Sequence, residues 1–377
     1  MKTAVLDVGA EGWAAGSVVS RTLAFSLASA GHNPLFVGRG ASLLSPTGCI
    51  AVELEPPRCF PGENTLRGML GLTVPSGAVH SIDKAKPEVA LPLVDLNLPR
   101  SPAIGWIPDF QHRYLPELFA EDERRRLEIR HEKLAEKCRL MWCSSESVAQ
   151  DFRKFFPRLA HKARVASFPS LFAYEPPGET EAGRSLPYRL GKRFLLVINQ
   201  FWAHKNHKLV ADALGVLRQA GLEIPTVIAG LPADYRDKQN TALSETLQTL
   251  ANNGSWPHCL VLGKVGRDEL LLLLRSATAL VQPSRFEGWN TTVEDAKALG
   301  CPVILSDLEV HREQCPDALG FFGCDDPRAL AAIIANNWKL LPARPDRKRE
   351  LECLEQARLR GLEFGSRLAA ICAEAAR

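Results

Sequence analysis

The sequence predicts an α/β protein built from two domains with parallel sheets and a helix at the C-terminal end. Apolar runs of strand length alternate with helix-length stretches through most of the chain, a pattern typical of parallel sheets. The length of 377 residues corresponds to about two domains. Between the halves, residues 173–191 contain many prolines and glycines and few core-type residues, which indicates a linker.

The first half begins with a strand, a glycine-containing loop and a helix. Strands are predicted at 3–8, 32–37, 103–107 and 140–143, and residues 164–167 close this half. Helices are predicted at 17–30, at the highly charged stretch 121–137, and after the cap at 144–147. Residues 41–90 show little periodicity, so we predict no particular helix or strand there.

The second half restarts the same alternation. Strands are predicted at 194–198, 225–229, 259–262, 278–281 and 302–305, and helices at 208–220, 241–252, 267–276 and 347–375. A further helix follows the strand at 278–281 and ends at Gly300. We therefore expect a domain at 1–172, a linker at 173–191, a domain at 192–346 and a terminal helix at 347–377. Ligands of such sheets bind at the carboxyl ends of the strands.

Composition narrows the class of protein. The formal net charge of +3 gives no indication of general nucleic-acid binding. The sequence contains no run of about 18 apolar residues, so we predict no membrane span. The first eight residues do not resemble a signal peptide. None of the ten cysteines forms a C-x-x-C pair, which favours reduced structural thiols over a metal site or disulfides. We expect a cytoplasmic protein without a metal.

The most informative segment is 283–304, where a strand enters a polar loop that opens a helix. Glu287 lies in the loop, and Glu294 and Asp295 follow inside the helix. The N–H groups of a helix start bind anions, and paired carboxylates accept hydrogen bonds from hydroxyl groups. A polyol joined to a phosphate fits this arrangement, although acidic residues in a first helical turn also occur simply because they suit the helix dipole.

Two other segments follow strands and carry polar groups. At 199–207, Lys205 can neutralise a diphosphate as a point charge, and at 105–116 the residues Asp109, Gln111, His112 and Arg113 suit a polyhydroxyl ligand. The alternatives are a solvated loop for the first segment and a structural histidine for the second. The glycines at 9, 12 and 16 do not form G-x-G-x-x-G, so a loop near a ligand phosphate or sugar is preferred to a dinucleotide site, with plain tight-turn glycines as the other alternative.

The basic and aromatic stretch 151–164 has two interpretations. It could contact an anionic membrane surface or a lipid diphosphate. The simpler interpretation is a solvated face with a few packed aromatic rings, and we prefer it. We therefore keep peripheral contact with the inner face of a membrane as an open alternative.

The motif at 283–304 resembles the E-x7-E region of retaining glycosyltransferases of the GT-B fold, family 4. Glu287 matches the first glutamate, and Asp295 stands where the second is usual, with Glu294 beside it. The segment 199–207 is similar to that family's phosphate loop, with Lys205 matching its lysine and Gln200 standing where arginine is common. The segment 105–112 resembles the one that carries the family's acceptor-domain histidine, here His112.

This resemblance implies two Rossmann-like domains facing across a cleft and sugar transfer with retention, with no metal or other cofactor. The donor would be a nucleotide diphosphate sugar, with GDP-mannose slightly favoured over a UDP-sugar, and the acceptor a glycan or lipid-linked glycan in surface polysaccharide synthesis. Glu287, His112 and Lys205 would be the catalytic residues, and Asp109, Gln111 and Arg113 would lie on the acceptor side. The implied donor-binding residues are Gly12, Asn199, Gln200, Lys205, Ser284, Gly288, Trp289, Asn290, Thr291, Thr292, Glu294 and Asp295.

Two other functions remain open at this point. One is a nucleotide-sugar epimerase or hydrolase on the same fold, which would use an extra acid and base such as Asp95, Asp109 and His112. The other is a catalytically degenerate glycan-binding protein, supported by Gln200 and Asp295 at positions where the family commonly has other residues.

Overall fold

A computed structural model describes residues 1–9, 14–38, 50–53, 76–176, 188, 191–232, 234, 236, 237, 239, 241–342 and 344–377. The chain divides into two compact units. One comprises residues 1–116, 120–175 and 358–377, and the other comprises 117–119 and 176–357.

The first unit is a seven-stranded parallel sheet with helices between its strands. Its strands are β1 (Lys2–Leu6), β2 (Asn33–Gly38), β3 (Ile50–Glu53), β4 (Val89–Leu93), β5 (Ala103–Trp106), β6 (Leu140–Cys143) and β7 (Ala163–Val165). Its helices are α1 (Ala14–Ser29), α2 (Ser76–Ala85), α3 (Gln111–Tyr114), α4 (Glu121–Lys137) and α5 (Glu146–Phe155). The strand order is β3-β2-β1-β4-β5-β6-β7, a Rossmann-like order that reverses between β1 and β4.

The second unit repeats this plan with six parallel strands. Its strands are β8 (Leu195–Ile198), β9 (Thr226–Ala229), β10 (Cys259–Gly263), β11 (Ala279–Gln282), β12 (Val303–Ser306) and β13 (Gly320–Phe322). Its helices are α6 (His207–Gln219), α7 (Thr241–Asn252), α8 (Arg267–Ser276), α9 (Thr291–Ala298), α10 (Glu309–Gln314) and α11 (Pro327–Trp338), followed by α12 (Arg347–Ala376). The order β10-β9-β8-β11-β12-β13 reverses between β8 and β11.

The central strands are buried because their sequences are almost continuously apolar. β8, β9 and β11 are buried along their whole length. Helices on both faces of a parallel sheet exclude water from such strands, so no polar alternation is needed. The predicted α/β class with two parallel sheets and a C-terminal helix is confirmed. Strands β3, β4 and β13 and helices α2, α3, α10 and α11 were not predicted from the sequence. Of these, β3, α2 and the start of β4 lie in the stretch 41–90 that shows little periodicity.

The C-terminal helix α12 contributes to both compact units in turn. Residues 358–377, which include the second part of α12, group with the first unit. There the carbonyl of Gly361 accepts a hydrogen bond from the Tyr174 hydroxyl at 2.8 Å. Gly365 packs so closely on the backbone of α1 that a Cβ there would lie 2.6 Å from the Ser26 carbonyl oxygen. A side chain at this position would therefore push the helix away.

Candidate functional site

The loop between β11 and α9 carries the first carboxylate, and Asn290 fixes where the helix begins. The Asn290 side-chain oxygen accepts hydrogen bonds from the N–H groups of Thr292 and Val293, at 3.0 and 3.1 Å. This is the usual action of an N-cap residue, which satisfies N–H groups that have no partner inside the helix. The preceding loop residues Ser284 and Gly288 are buried, and Trp289 is half-buried.

Glu287 and Lys205 form an ion pair at the point where the strand order reverses. Lys205 follows β8 and Glu287 follows β11, and these two strands are neighbours in the sheet. The Lys205 Nζ lies 2.6 Å from Glu287 Oε1, and the Asn290 amide donates to the same oxygen at 3.0 Å. The side chains of Lys205 and Glu287 are 16% and 9% exposed. Ligands of open α/β sheets bind at this kind of position.

Asn206 holds the two loops together. Its backbone adopts a left-handed conformation with φ 56°, which asparagine tolerates better than most residues. Its side-chain amide donates to the carbonyl oxygens of Pro283 and Cys324, at 3.2 and 2.8 Å. Because Asn206 directly follows Lys205, these bonds fix the lysine against the loop that carries Glu287.

The carboxyl group of Glu287 is ionised despite its burial. Burial by itself would raise the pKa of Glu287, but the charge of Lys205 and the hydrogen bond that Lys205 donates outweigh it, so the pKa is lowered. His311 is buried, and burial lowers its own pKa. The site thus presents a carboxylate and an ammonium group side by side at neutral pH.

The two later carboxylates point to different partners. Glu294 Oε1 accepts hydrogen bonds from Lys297 Nζ at 2.8 Å and from Gln314 Nε2 at 3.1 Å. Asp295 Oδ2 instead pairs with Arg267 at 2.9 Å, and the arginine side chain is 41% exposed. Arg267 begins α8, which follows β10, so Asp295 faces the loop after β10 while Glu294 faces α10.

Some of the N–H groups expected to receive a phosphate already have protein partners. The Asn290 N–H donates to Gln314 Oε1 at 3.3 Å, and the Thr292 N–H donates to the Asn290 side chain. Thr291 and Thr292 are half-buried. A phosphate at this helix start would therefore compete with the Asn290 cap, which sequence inspection of the segment did not anticipate.

Four polar residues of the segment after β8 are buried or half-buried. Asn199 turns its amide toward the sheet and donates to Gln282 Oε1 at 2.6 Å, and Gln200 beside it is half-buried. Gly230 allows the close approach of the next loop, since a Cβ there would lie 1.7 Å from the Asn199 carbonyl oxygen. His204 and His207 are both buried, which favours structural roles for them.

In the first unit, the predicted acceptor-side residues lie around the short helix α3. The Asp109 carboxylate accepts the Gln111 N–H at 2.8 Å in a turn directly before the helix, whose N-cap residue is Phe110. Arg113 pairs with Glu128 and lies 4.2 Å from the centre of the Phe155 ring. Asp109 and Arg113 thus already have structural partners. Gly12, the remaining predicted donor-binding residue, lies outside the described part of the chain.

His112 is buried beside the same glutamate. Its Nε2 lies 3.3 Å from Glu128 Oε1, and its ring packs against His131 with 5.1 Å between centroids. Burial, followed by the charges of Arg113, Arg130 and Arg124, lowers the pKa of His112 to about 4. The imidazole is therefore neutral at pH 7.

We expect acid to destabilise the protein through His112. The unfolded chain binds this proton with the ordinary pKa of 6.5 and the folded chain at about 4. Between these values the unfolded state holds more protons, so stability falls as pH is lowered from 6.5 toward 4. At pH 5, His112 lowers the free energy of unfolding by about 2 kcal/mol.

Urea unfolding at pH 7 and pH 5 measures this effect. The loss of stability between the two pH values should be about 2 kcal/mol smaller in His112→Gln than in the parent. His161→Gln, at an exposed histidine, is the matched control and should leave the loss unchanged. Equal losses in parent and His112→Gln would contradict the prediction.

Three of the residues that shape the site were not singled out from the sequence as site residues. They are Asn206, Arg267 and Gln314. The partners of Arg267 and Gln314 lie 28 or fewer residues away in the sequence, and the partners of Asn206 lie 77 or more residues away. Asn206 follows a lysine and precedes a helix, a position at which asparagine could have been recognised as a turn residue. Nothing in the local sequence marks the other two.

Comparisons with known proteins show which family model and which folds this chain resembles. Residues 179–341 match the family model described as "Glycosyl transferases group 1". This range includes Lys205, Glu287, Glu294 and Asp295. Among curated protein sequences, no match was found. Three solved structures illustrate the similarity over the whole chain.

The first is Anabaena Alr3699/HepE in complex with UDP and glucose, with 16% identity, a TM-score of 0.66 and coverage of 99% of this chain and 97% of that chain. The second is a glycosyltransferase from Rickettsia africae, with 13% identity, a TM-score of 0.60 and coverage of 99% and 95%. The third is a sucrose-phosphate synthase from Thermosynechococcus elongatus, with 15% identity, a TM-score of 0.63 and coverage of 99% and 96%.

The protein has the GT-B fold. At these identities the structural similarity establishes the fold, and the family match of residues 179–341 adds support for a GT-B glycosyltransferase. In the described part of the chain, no helix is both long enough and apolar enough to cross a membrane.

Proposed function

We propose that the protein is a retaining glycosyltransferase that moves a hexose from a nucleotide diphosphate sugar to a glycan or glycolipid acceptor in surface polysaccharide synthesis. The observation that carries the proposal is the Lys205–Glu287 pair, with 2.6 Å between Nζ and Oε1. It lies at the reversal of the strand order and inside the segment that matches the glycosyltransferase family.

The pair supplies two complementary functions to such a reaction. The Glu287 carboxylate accepts hydrogen bonds from hydroxyl groups of the donor sugar. Lys205 faces the diphosphate and neutralises the negative charge that grows on it as the bond to the sugar breaks. This charge stabilisation comes from a side chain, so the proposed mechanism needs no metal. A role for His112 in contacting the sugar remains a prediction of the family resemblance.

Between the two candidates for the ribose, we favour Asp295. Glu294 is held by Lys297 and Gln314, and reorienting it would break both hydrogen bonds. Asp295 is as buried as Glu294, but it pairs with Arg267 at the start of α8, whose side chain is 41% exposed, so a ligand can reach the partner of Asp295 from solvent. The shorter side chain of Asp295 can still contact the ribose if Arg267 moves aside or binds the ribose together with it.

The donor base and sugar remain proposals. The Anabaena structure contains UDP and glucose, and a second structure of the same protein contains UDP-glucose. These observations concern that protein, but they support testing UDP-hexoses with the same weight as GDP-mannose, the donor favoured by the motif resemblance.

Peripheral membrane contact has weaker support than sugar transfer. In the basic stretch 151–164, Phe152 and Phe156 are buried. Lys162 donates to three carbonyl oxygens near the end of α4, those of Ala135, Glu136 and Cys138. These groups therefore serve packing inside the first unit, and a cytoplasmic location with peripheral contact remains a prediction.

A ligand panel tests the proposed function. Purified protein is heated with UDP, GDP, ADP or dTDP, and at a hundredfold excess over Kd the matching nucleotide should raise Tm by about 5 °C. The 2′,3′-dideoxy form of that nucleotide should give a smaller rise in the parent and in Glu294→Gln. In Asp295→Asn, the two forms should differ little.

The activity is then measured as release of the nucleoside diphosphate from the matching sugar donor, with and without a pool of mono-, oligo- and lipid-linked saccharides. A transferase should require an acceptor. Equal breakdown or isomerisation of the donor without acceptor would instead indicate a hydrolase or epimerase. If the protein binds saccharides but no nucleotide raises Tm, the glycan-binding alternative is correct.

A further inference from the structure

Helix α10 supplies a buried side chain that connects the elements of the proposed site. Gln314, its last residue, is 2% exposed. Its side-chain oxygen accepts the Asn290 N–H at 3.3 Å, and its amide nitrogen donates to the Asn290 carbonyl oxygen at 2.8 Å and to Glu294 Oε1 at 3.1 Å. One amide thus contacts both backbone groups of the residue that caps α9.

The partners of this amide allow only one orientation of it. The Asn290 N–H requires an acceptor, and the Asn290 carbonyl and the Glu294 carboxylate both require donors. Rotating the Gln314 amide by 180° would place two donors against each other and its oxygen against two acceptors. The side chain is held further because its own backbone carbonyl accepts from Lys297 Nζ at 2.6 Å.

Asn290 transmits this constraint to Glu287. The Asn290 side chain donates to Glu287 Oε1 at 3.0 Å while its oxygen caps the helix. The direction of that donor depends on where the Asn290 backbone lies, and Gln314 contacts this backbone from both sides. Glu287 itself touches Lys205 and Asn290, so its position is set from β8 on one side and from α10 on the other.

We propose that Gln314 is a positioning residue that holds Glu287 in its reactive geometry through Asn290. This inference rests on the proposed function, because Glu287 must contact the donor sugar for its position to affect the rate. Gln314 does not contact the reacting groups. A displacement of a reacting group by about 1 Å can cost about a hundredfold in rate, so a residue of this kind affects turnover from a distance.

Three variants test the proposal. Gln314→Met keeps the length of the side chain but removes all three of its hydrogen bonds. Gln314→Glu keeps at most two of the three bonds, and only while the introduced carboxyl is protonated, because a protonated carboxyl has one donor hydrogen and an ionised carboxylate would repel Glu294. Gln219→Met, at an exposed glutamine at the end of α6, is the matched control for the same chemical change.

We expect Gln314→Met to lower kcat about tenfold to a hundredfold while KM for the donor changes less than about threefold. Amide hydrogen exchange should become faster in the segment 287–294, where Asn290 caps the helix, and remain unchanged elsewhere. The kcat of Gln314→Glu relative to the parent should fall as pH rises and the introduced carboxyl ionises. Gln219→Met should match the parent in every measurement.

A parent-like kcat in Gln314→Met would overturn the proposal. So would a loss of kcat accompanied by faster exchange throughout the second unit, because that pattern indicates general destabilisation. If the parent itself shows no transfer, the proposed function fails. Hydrogen exchange then decides the structural part alone, and unchanged exchange at 287–294 in Gln314→Met would overturn it as well.

Discussion

Replacing Glu287 with glutamine is expected to lower kcat for sugar transfer by about a hundredfold to a thousandfold, the size of effect found when one preorganised electrostatic contact to a transition state is removed. Glutamine has nearly the same shape, so the loop should stay folded. The neutral amide would accept weaker hydrogen bonds from the donor sugar. It would also leave the Lys205 ammonium without the carboxylate that lies 2.6 Å away.

The measurement is the rate of nucleoside diphosphate release in the presence of the acceptor identified by the panel. Far-ultraviolet circular dichroism and the nucleotide-induced rise in Tm serve to show that Glu287→Gln remains folded and binds nucleotide. Glu309→Gln, at an exposed glutamate in α10, provides the matched control and should keep the parental rate. Parental turnover in Glu287→Gln would exclude Glu287 from the mechanism.

Most strands and helices of the second unit could be predicted from the sequence because they carry a local signal, whereas β13, α10 and α11 were not predicted. Predicted strands at 225–229 and 259–262 correspond to β9 and β10, and the predicted end of a helix at Gly300 corresponds to a residue with φ 65°. An apolar run marks a buried strand, and a glycine that can adopt positive φ marks the end of a helix. Neither signal requires knowledge of distant residues.

The partners of the site residues could be predicted only in part. Lys205 and Glu287 were expected in one site because each follows a strand of the same domain, although their direct contact was not foreseen. Glu294 and Lys297 lie three residues apart on α9, a spacing that by itself predicts their pairing. That Asp295 pairs with Arg267 of α8, and that Glu294 also accepts from Gln314 of α10, depends on the packing of three helices, which sequence spacing within α9 does not fix. The same is true of the Asn290 N–H, which donates to Gln314. The Thr292 and Val293 N–H groups donate instead to the Asn290 side chain, which is a local N-cap signal.

Removing the carboxylate of Glu350 is expected to destabilise the second unit by about 3–5 kcal/mol. Glu350, in the first turn of α12, accepts from Arg275 at 3.0 and 2.6 Å and from Arg347 at 2.8 Å. The side chains of Arg275 and Glu350 are 3% and 2% exposed. Glu350→Ala would thus leave the Arg275 guanidinium buried without a compensating charge, because Arg347 is itself a cation.

The decisive comparison is between breaking this pair and replacing it. The double variant Arg275→Met with Glu350→Leu removes both charges and restores apolar volume, so it should recover most of the stability lost in Glu350→Ala. As a control, Asp212→Ala breaks an exposed ion pair, in which the side chains of Lys208 and Asp212 are 50% and 35% exposed. This variant should lose less than about 1 kcal/mol of stability. Urea unfolding measures the stability of all three variants.

A loss of stability in Glu350→Ala no larger than that in Asp212→Ala would mean that water reaches Arg275 once its partner is gone. If instead the double variant is as unstable as Glu350→Ala, the loss comes from the packing of α12 against α8, and the buried charge is not its cause.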